Sequence, residues 1–254
     1  MKIYRYLYEG QEFYGVLRED LLYPLKGSVF ESRETENYGI PIGKVKILPP
    51  VTPTKIIGVG VNYREHAREM ARTLPEEPLI FLKPPSALIA HNEPIIFPRQ
   101  AQRIDYEGEL AVIIKKEVHD LDDKFDLNEV ILGYTCFNDV TARDLQLKDG
   151  QFTRAKSFDT FAPCGPCLAT DLDPGHLVIK TFLNGKLRQS ASTSQMIFPV
   201  DYLVRFISRI MTLYPGDIIT TGTPAGIGPM NPGDRVDVQI EGIGTLSNMV
   251  LRVR

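Results

Sequence analysis

Three carboxylates and one imidazole set the chemistry available to this sequence. In Asp105-Tyr106-Glu107-Gly108-Glu109-Leu110-Ala111-Val112-Ile113-Ile114, two acids precede a continuous apolar run. The run reads as a strand buried on both faces. Side chains at i and i+2 of a strand share a face, so Glu107 and Glu109 aim the same way. Gly108 removes a side chain from the opposite face and lets another backbone come close. Parallel carboxylates at the mouth of a buried strand repel, so they must be wet, share a proton or hold a cation. Glu-x-Glu also occurs on the solvent face of ordinary strands, and a third acid weighs against that. Residues 131–140 form another apolar stretch, and it carries Asn138-Asp139 near its end. Cys136, three residues before Asp139, faces the other way. The remaining set, Glu107, Glu109 and Asp139, is all oxygen. It suits a hard cation such as Mg²⁺ or Mn²⁺, with water ligands that a substrate can displace.

His66 and Glu69 lie one turn apart in a segment, 63–74, where Tyr63, Ala67, Met70 and Leu74 fall at helical spacing behind a capping Asn62. A carboxylate beside an imidazole orients it and raises its basicity, as a water-activating base needs. The plainer alternative is a charged surface helix, since Arg64, Glu65, Arg68 and Arg72 surround the pair. Lys83 stands at the tip of an apolar strand stopped by two prolines, where a lysine is ordinarily solvated. Arg143 and Lys156 are candidate contacts for an anion or a developing enolate, with a salt-bridged turn as the alternative. The loop Thr221-Gly222-Thr223-Pro224-Ala225-Gly226 exposes amides that can hold a substrate carboxylate, or is a plain turn. Cys164-Gly-Pro-Cys167 raises thiol redox chemistry, but a strand stub and turn follow it, not the helix that chemistry uses.

The elements behind these residues are mostly strands. Twenty glycines and nineteen prolines punctuate short β-rich runs, which argues for a β-dominated fold. Residues 1–51 alternate as a small β-rich extension, and the proline-bearing stretch 46–54 reads as the linker to a main domain, 52–254. Residues 199–211 read as an amphipathic helix, and Asn184-Gly185 as a hairpin turn. A net charge of −3 gives no electrostatic reason to expect nucleic acid or an anionic membrane. No apolar run reaches the roughly 20 residues a bilayer needs. The first residues lack a signal-peptide core, and three cysteines imply no disulfide framework. Cytoplasm is the default address.

Together these stretches resemble the fumarylacetoacetate hydrolase superfamily over 52–254. The resemblance rests on Gly60-Val-Asn62-Tyr63-x-x-His66-x-x-Glu69, Phe81-Leu-Lys83-Pro84 and Asp105-Tyr-Glu107-Gly-Glu109-Leu. It continues in Asn138-Asp139-Val-Thr-Ala-Arg143-Asp144, Lys156-Ser-Phe-Asp and Thr221-Gly-Thr-Pro-Ala-Gly226. It implies a β-rich α+β fold, a rolled mixed β-sandwich, usually a homodimer, with Mg²⁺ or Mn²⁺ on Glu107, Glu109 and Asp139. The helix of His66 and Glu69 resembles the family's lid and acid–base dyad, with Lys156 beside it. Arg143, Gln146 and Thr223, together with Lys83 and Gly222 in the matching stretches, are the substrate-contact candidates. The implied activity is C–C cleavage of a small 2-oxo acid, by hydrolysis or decarboxylation through a metal-stabilised enolate. The alternative is isomerisation of a 2-hydroxymuconate-like dienoate in aromatic catabolism.

Overall fold

Alternation of apolar and polar residues builds the first strands, Lys2–Tyr8, Gln11–Arg18 and Leu21–Pro24. The computed structural model describes residues 1–252, and in it these strands are continuous with the rest. Lys2–Tyr8 pairs antiparallel with Ala162–Ala169, placing Lys2 opposite Ala169. One twelve-stranded sheet results. Beyond that junction it runs through Ile131–Asn138, Gly108–Ile114, Ile218–Thr220 and Ile56–Gly60 to the edge strand Leu79–Lys83. Ile218–Thr220 lies parallel to Ile56–Gly60, so the sheet is mixed. The stretch 46–54 is packed: Lys46–Ile47 pairs with Tyr6 and Leu7. The fully buried Asp217 carboxylate accepts from the Thr54 amide and hydroxyl and from the Lys55 amide.

A five-stranded sheet packs on one face of the large one. Its order is Lys186–Ser192, Val178–Leu183, Arg235–Ile240, Gly244–Arg252, Ile95–Phe97. Asn184 and Gly185 turn the first pair, with φ of 52° and 75°, as a two-residue hairpin turn requires. The strand Gly108–Ile114 explains its own sequence. Leu110, Val112 and Ile114 enter the core between the sheets with Ile179, Val238 and Leu246. Ala111 and Ile113 enter a second core on the opposite face with Ile3, Leu132 and Phe137. An unbroken apolar run follows from burial on both sides. The rolled mixed sandwich expected from the sequence is the architecture observed.

Four α-helices complete the described residues: α1 (Arg64–Glu69), α2 (Arg143–Asp149), α3 (Thr153–Lys156) and α4 (Val200–Ser208). On α4, Val200, Leu203, Val204 and Ile207 are buried as their spacing requires. The helix expected over 63–74 is shorter than its apolar spacing suggests. It stops at Glu69 because Ala71 turns left-handed, φ 49°, and Leu74 is exposed. Asn62 does not cap it. Its side chain instead donates to the Phe198 and Thr221 carbonyls and accepts from the Phe198 amide. It thereby ties the start of α1 to two distant segments. No helix among the described residues is long and apolar enough to cross a membrane.

Candidate active site

Glu107 sits at the break between strand Ile104–Tyr106, in a small three-stranded sheet, and Gly108–Ile114 in the large one. Asn138 secures that break, its side-chain oxygen accepting from the Glu107 amide at 2.9 Å. The Asp139 amide donates to the Glu107 carbonyl at 2.8 Å. The next strand's acid is thereby drawn beside the first pair. One oxygen from each of Glu107, Glu109 and Asp139 lies within 4.8 Å of the others, and all three residues are buried. What approaches Gly108 is side chains, not the backbone expected: a Cβ there would lie 2.1 Å from Thr181 Oγ1 and 3.2 Å from Gln189 Oε1.

Cations from three segments surround the acids. Lys156, ending α3, donates to Glu107 Oε2 at 2.8 Å and also to Asp139 Oδ2. Lys83 is not solvated at its strand tip; it is fully buried and donates to Asp139 Oδ1 at 2.6 Å. Each nitrogen of the Arg143 guanidinium already holds one partner within the protein. Nε donates to Asp105 at 2.9 Å, and its terminal nitrogens donate to Gln146 and Glu107. Asp105 also receives the half-exposed Arg103.

These pairings divide the acids. Burial works to raise the Glu107 carboxyl, but Lys156 and Arg143 outweigh it and hold it below the usual carboxylate range. Among the described residues Glu109 has no such partner, and its one donor is the Gly222 amide, at 2.8 Å. Burial, then the charges of Asp139 and Glu107, push it well above the usual range. A hard divalent cation is the group that would let three buried carboxylates, one of them unpaired, stay ionised together. The donor set fits Mg²⁺ or Mn²⁺.

α1 covers this cluster. His66 Nδ1 meets Glu69 Oε2 at 3.0 Å, which leaves Nε2 as the free ring nitrogen of a pair that helical spacing makes possible. Glu69 Oε1 accepts from the Gly226 amide at 3.0 Å, latching α1 to the 221–228 loop. The loop amides of Gly222 and Gly226 therefore hold the protein's own carboxylates. The Thr223 hydroxyl donates to the Gly108 carbonyl at 2.9 Å and accepts from Gln189 Nε2 at 2.8 Å. Gln189 Oε1 accepts from the Gly108 amide at 3.0 Å. That clamp escapes sequence reasoning, because Gln189 lies on a distant strand of the second sheet. Asp105 is within reach of it, being i−2 from Glu107 in the same alternating run.

One pocket brings His66, the three acids, Arg143, Gln146, Lys156 and Thr223 together. Glu69, Lys83 and Gly222 stand behind its wall, each bonded to a residue that lines it or to the loop. Its free space is about 30 Å³, room for a water or two. Cys164 and Cys167 do not line this pocket; they lie on strand Ala162–Ala169, with both thiols free and fully buried. Exchange needs an accessible thiolate, and here burial pushes the Cys167 thiol up to about 11.

Comparison with known proteins adds the lineage. A family model described as fumarylacetoacetate (FAA) hydrolase C-terminal matches residues 55–251. A second, described as Rv2993c-like, N-terminal, matches residues 1–50. A protein of Archaeoglobus fulgidus is 54% identical over 218 residues, covering 86% of this chain and 87% of that one. The mitochondrial oxaloacetate tautomerase Fahd2a of Rattus norvegicus is 39% identical, covering 84% of this chain and 71% of that protein. Among solved structures, the 5-carboxymethyl-2-hydroxymuconate delta-isomerase of Mycobacterium smegmatis superimposes with a TM-score of 0.93 at 40% identity, over 100% of both chains. The maleylpyruvate hydrolase of Sphingobium sp. SYK-6, with manganese(II) ion and pyruvate, gives 0.82 at 29% identity, again over 100% of both.

Proposed function

The chain belongs to the fumarylacetoacetate hydrolase family, and from that premise we propose that it is a divalent-metal-dependent enzyme that cleaves a C–C bond of a small 2-oxo acid. The observation that carries this reading is the convergence of three buried carboxylates, one without a cation partner, beneath a His–Glu pair. Glu107, Glu109 and Asp139 would hold Mg²⁺ or Mn²⁺, which supplies Lewis-acid polarisation of the 1-carboxylate and 2-oxo group when bound. The manganese and pyruvate in the Sphingobium hydrolase support that head-group assignment.

The chain's own residues do the rest. His66 Nε2 takes a proton from water, and Glu69 keeps the ring in the tautomer that can accept it. The hydroxide oxygen bonds to the distal carbonyl carbon. The bond from that carbon to C3 of the oxo acid then breaks, and its electron pair stays with C3 as an enolate. The Lys156 ammonium stabilises the negative charge and can return a proton to C3. Decarboxylation of an oxo acid passes through the same enolate without the water attack. Arg143, Gln146, Lys83, Gly222 and Thr223 would fix the substrate, or the groups that touch it, in place.

A second reading has its own support. The similarity to the M. smegmatis isomerase and the rat tautomerase favours proton transfer within an enolisable acid, without bond cleavage. The test is incubation with acetylpyruvate, oxaloacetate and a hydroxymuconate-type dienoate, with Mg²⁺ or Mn²⁺ and with chelator, read by product mass. Chelator-sensitive fragments support cleavage. Conserved mass with a shifted absorbance moves the assignment to isomerase. No chelator-sensitive change in any of them contradicts both. The proposed assembly is a homodimer, twice the 28.6 kDa chain in sedimentation, and the proposed address is the cytoplasm, consistent with three free thiols.

A further inference from the structure

Asp105 is fully buried beside the site, yet it lines no part of the pocket. It also stands outside the group of three carboxylates able to hold a cation. What it holds is arginine. Arg103 Nε donates to Asp105 Oδ1 at 2.7 Å, and a terminal nitrogen of Arg103 donates to Oδ2 at 3.0 Å. Arg143 Nε donates to the same Oδ2 at 2.9 Å. Three N–H donors thus converge on one carboxylate.

The backbone fixes both ends of the Asp105–Arg143 contact. Strand Ile104–Tyr106 pairs antiparallel with Thr141–Ala142, placing Asp105 opposite Thr141. The Arg143 amide donates to the Arg103 carbonyl at 3.0 Å, and the Asp144 carboxylate accepts from the Gln102 amide at 3.0 Å. With Nε held by Asp105, the terminal nitrogens of Arg143 reach Gln146 and Glu107 Oε1. The other Glu107 oxygen, Oε2, shares the Lys156 ammonium with Asp139. A guanidinium bonded to Glu107 alone would compete with a metal for that carboxylate with its whole charge. Bonded to Asp105 as well, it orients Glu107 while its charge is shared.

We propose that Asp105 is a positioning residue that sets the cation affinity of the triad by acting through Arg143. This rests on the reading that Glu107, Glu109 and Asp139 hold a divalent metal. Metal-binding carboxylates are themselves oriented by hydrogen-bonded partners. Here that orientation passes along one line, from Asp105 through the guanidinium to Glu107 Oε1. The planar fork of arginine makes the link stiff, since fixing Nε fixes the terminal nitrogens. An Asp105 that served only to neutralise two arginines would matter to folding and not to the cation.

Calorimetric titration of the chelator-stripped protein with Mn²⁺ tests this, with a melting temperature taken for each protein. The proteins are the wild type, Asp105→Asn, Arg143→Gln and the double variant. Asp105→Asn keeps the shape of the side chain and removes its charge, and is expected to weaken Mn²⁺ binding about 10- to 100-fold. Arg143→Gln keeps all three ligands and sheds a competing charge, so its Mn²⁺ binding stays measurable. With Arg143 gone, Asp105 has nothing to act through. Adding Asp105→Asn to Arg143→Gln is therefore expected to shift the affinity by no more than about twofold. That comparison also serves if Asp105→Asn alone fails to fold, because the double variant leaves no buried Arg143 charge unpaired. A similar loss of affinity in both backgrounds overturns the proposal. So does a melting temperature lowered in both with Mn²⁺ affinity unchanged, the result a merely structural role predicts, and the metal reading then stands. If the wild type itself binds no Mn²⁺, the metal reading is wrong and the Asp105 proposal goes with it.

Discussion

Glu109 is the residue on which the chemistry turns. Its neighbours Glu107 and Asp139 each have a lysine within hydrogen-bond distance, whereas Glu109 has one amide. Glu109→Ala is therefore expected to abolish Mn²⁺ binding in calorimetric titration; full occupancy in that variant would remove it from the ligand set. His66 is placed to handle protons, not to hold metal. His66→Ala is expected to lower turnover about 10²- to 10⁴-fold with Mn²⁺ affinity unchanged, and wild-type turnover would sink its role. The acids are legible in the sequence because an i, i+2 pair at the head of a buried strand forces like charges together. Lys83 is not, because its partner lies 56 residues away, and local sequence says nothing of such a pairing. Gln146 and Thr223 are reached only through family resemblance.

At the level of elements, the site depends on how closely the second sheet approaches the strand that carries the acids. Gly108 is where they meet, with Thr181, Gln189 and Val238 against it. Gly108→Ala would force the sheets apart, and overpacking of this kind costs about 1–3 kcal/mol. For a chain near this size, each kcal/mol lowers the melting temperature by roughly 2–4 °C. A thermal scan that left the melting temperature unchanged would mean that the sheets yield more easily than their contacts imply. α1 is the other critical element. It is latched to the opposite loop through Glu69 and Gly226, which holds the His66–Glu69 pair over the acids. Periodicity places this helix but overruns its end, since Ala71 gives no glycine or proline signal. Asn62 has the sequence context of a cap, and its long-range partners, at 198 and 221, leave no local trace.

The whole molecule is one β-rich framework that the N-terminal strands extend through Lys2–Tyr8 and Ala162–Ala169. Alternation in 1–18 predicts those strands, but pairing between strands so distant in sequence is set by packing, not by local pattern. The same packing disposes of the cysteines. Burial raises all three thiols. Cys167, pushed up to about 11 by burial, is also fully buried, so it is protected against thiolate reagents. The folded protein is expected to resist a thiol reagent at pH 8 and to titrate three thiols once denatured. Rapid modification of Cys164 or Cys167 in the folded state would reopen a redox role.

All of the proposed chemistry requires Glu107, Glu109 and Asp139 to hold a divalent cation. Anomalous diffraction from crystals soaked in Mn²⁺ would locate that cation without reference to any substrate. One strong peak is expected, with an oxygen from each of the three residues at about 2.1 Å, a distance typical of hard octahedral cations. A peak elsewhere, or no peak at the triad while Lys156 keeps its bonds to Glu107 and Asp139, would contradict a metal-dependent enzyme.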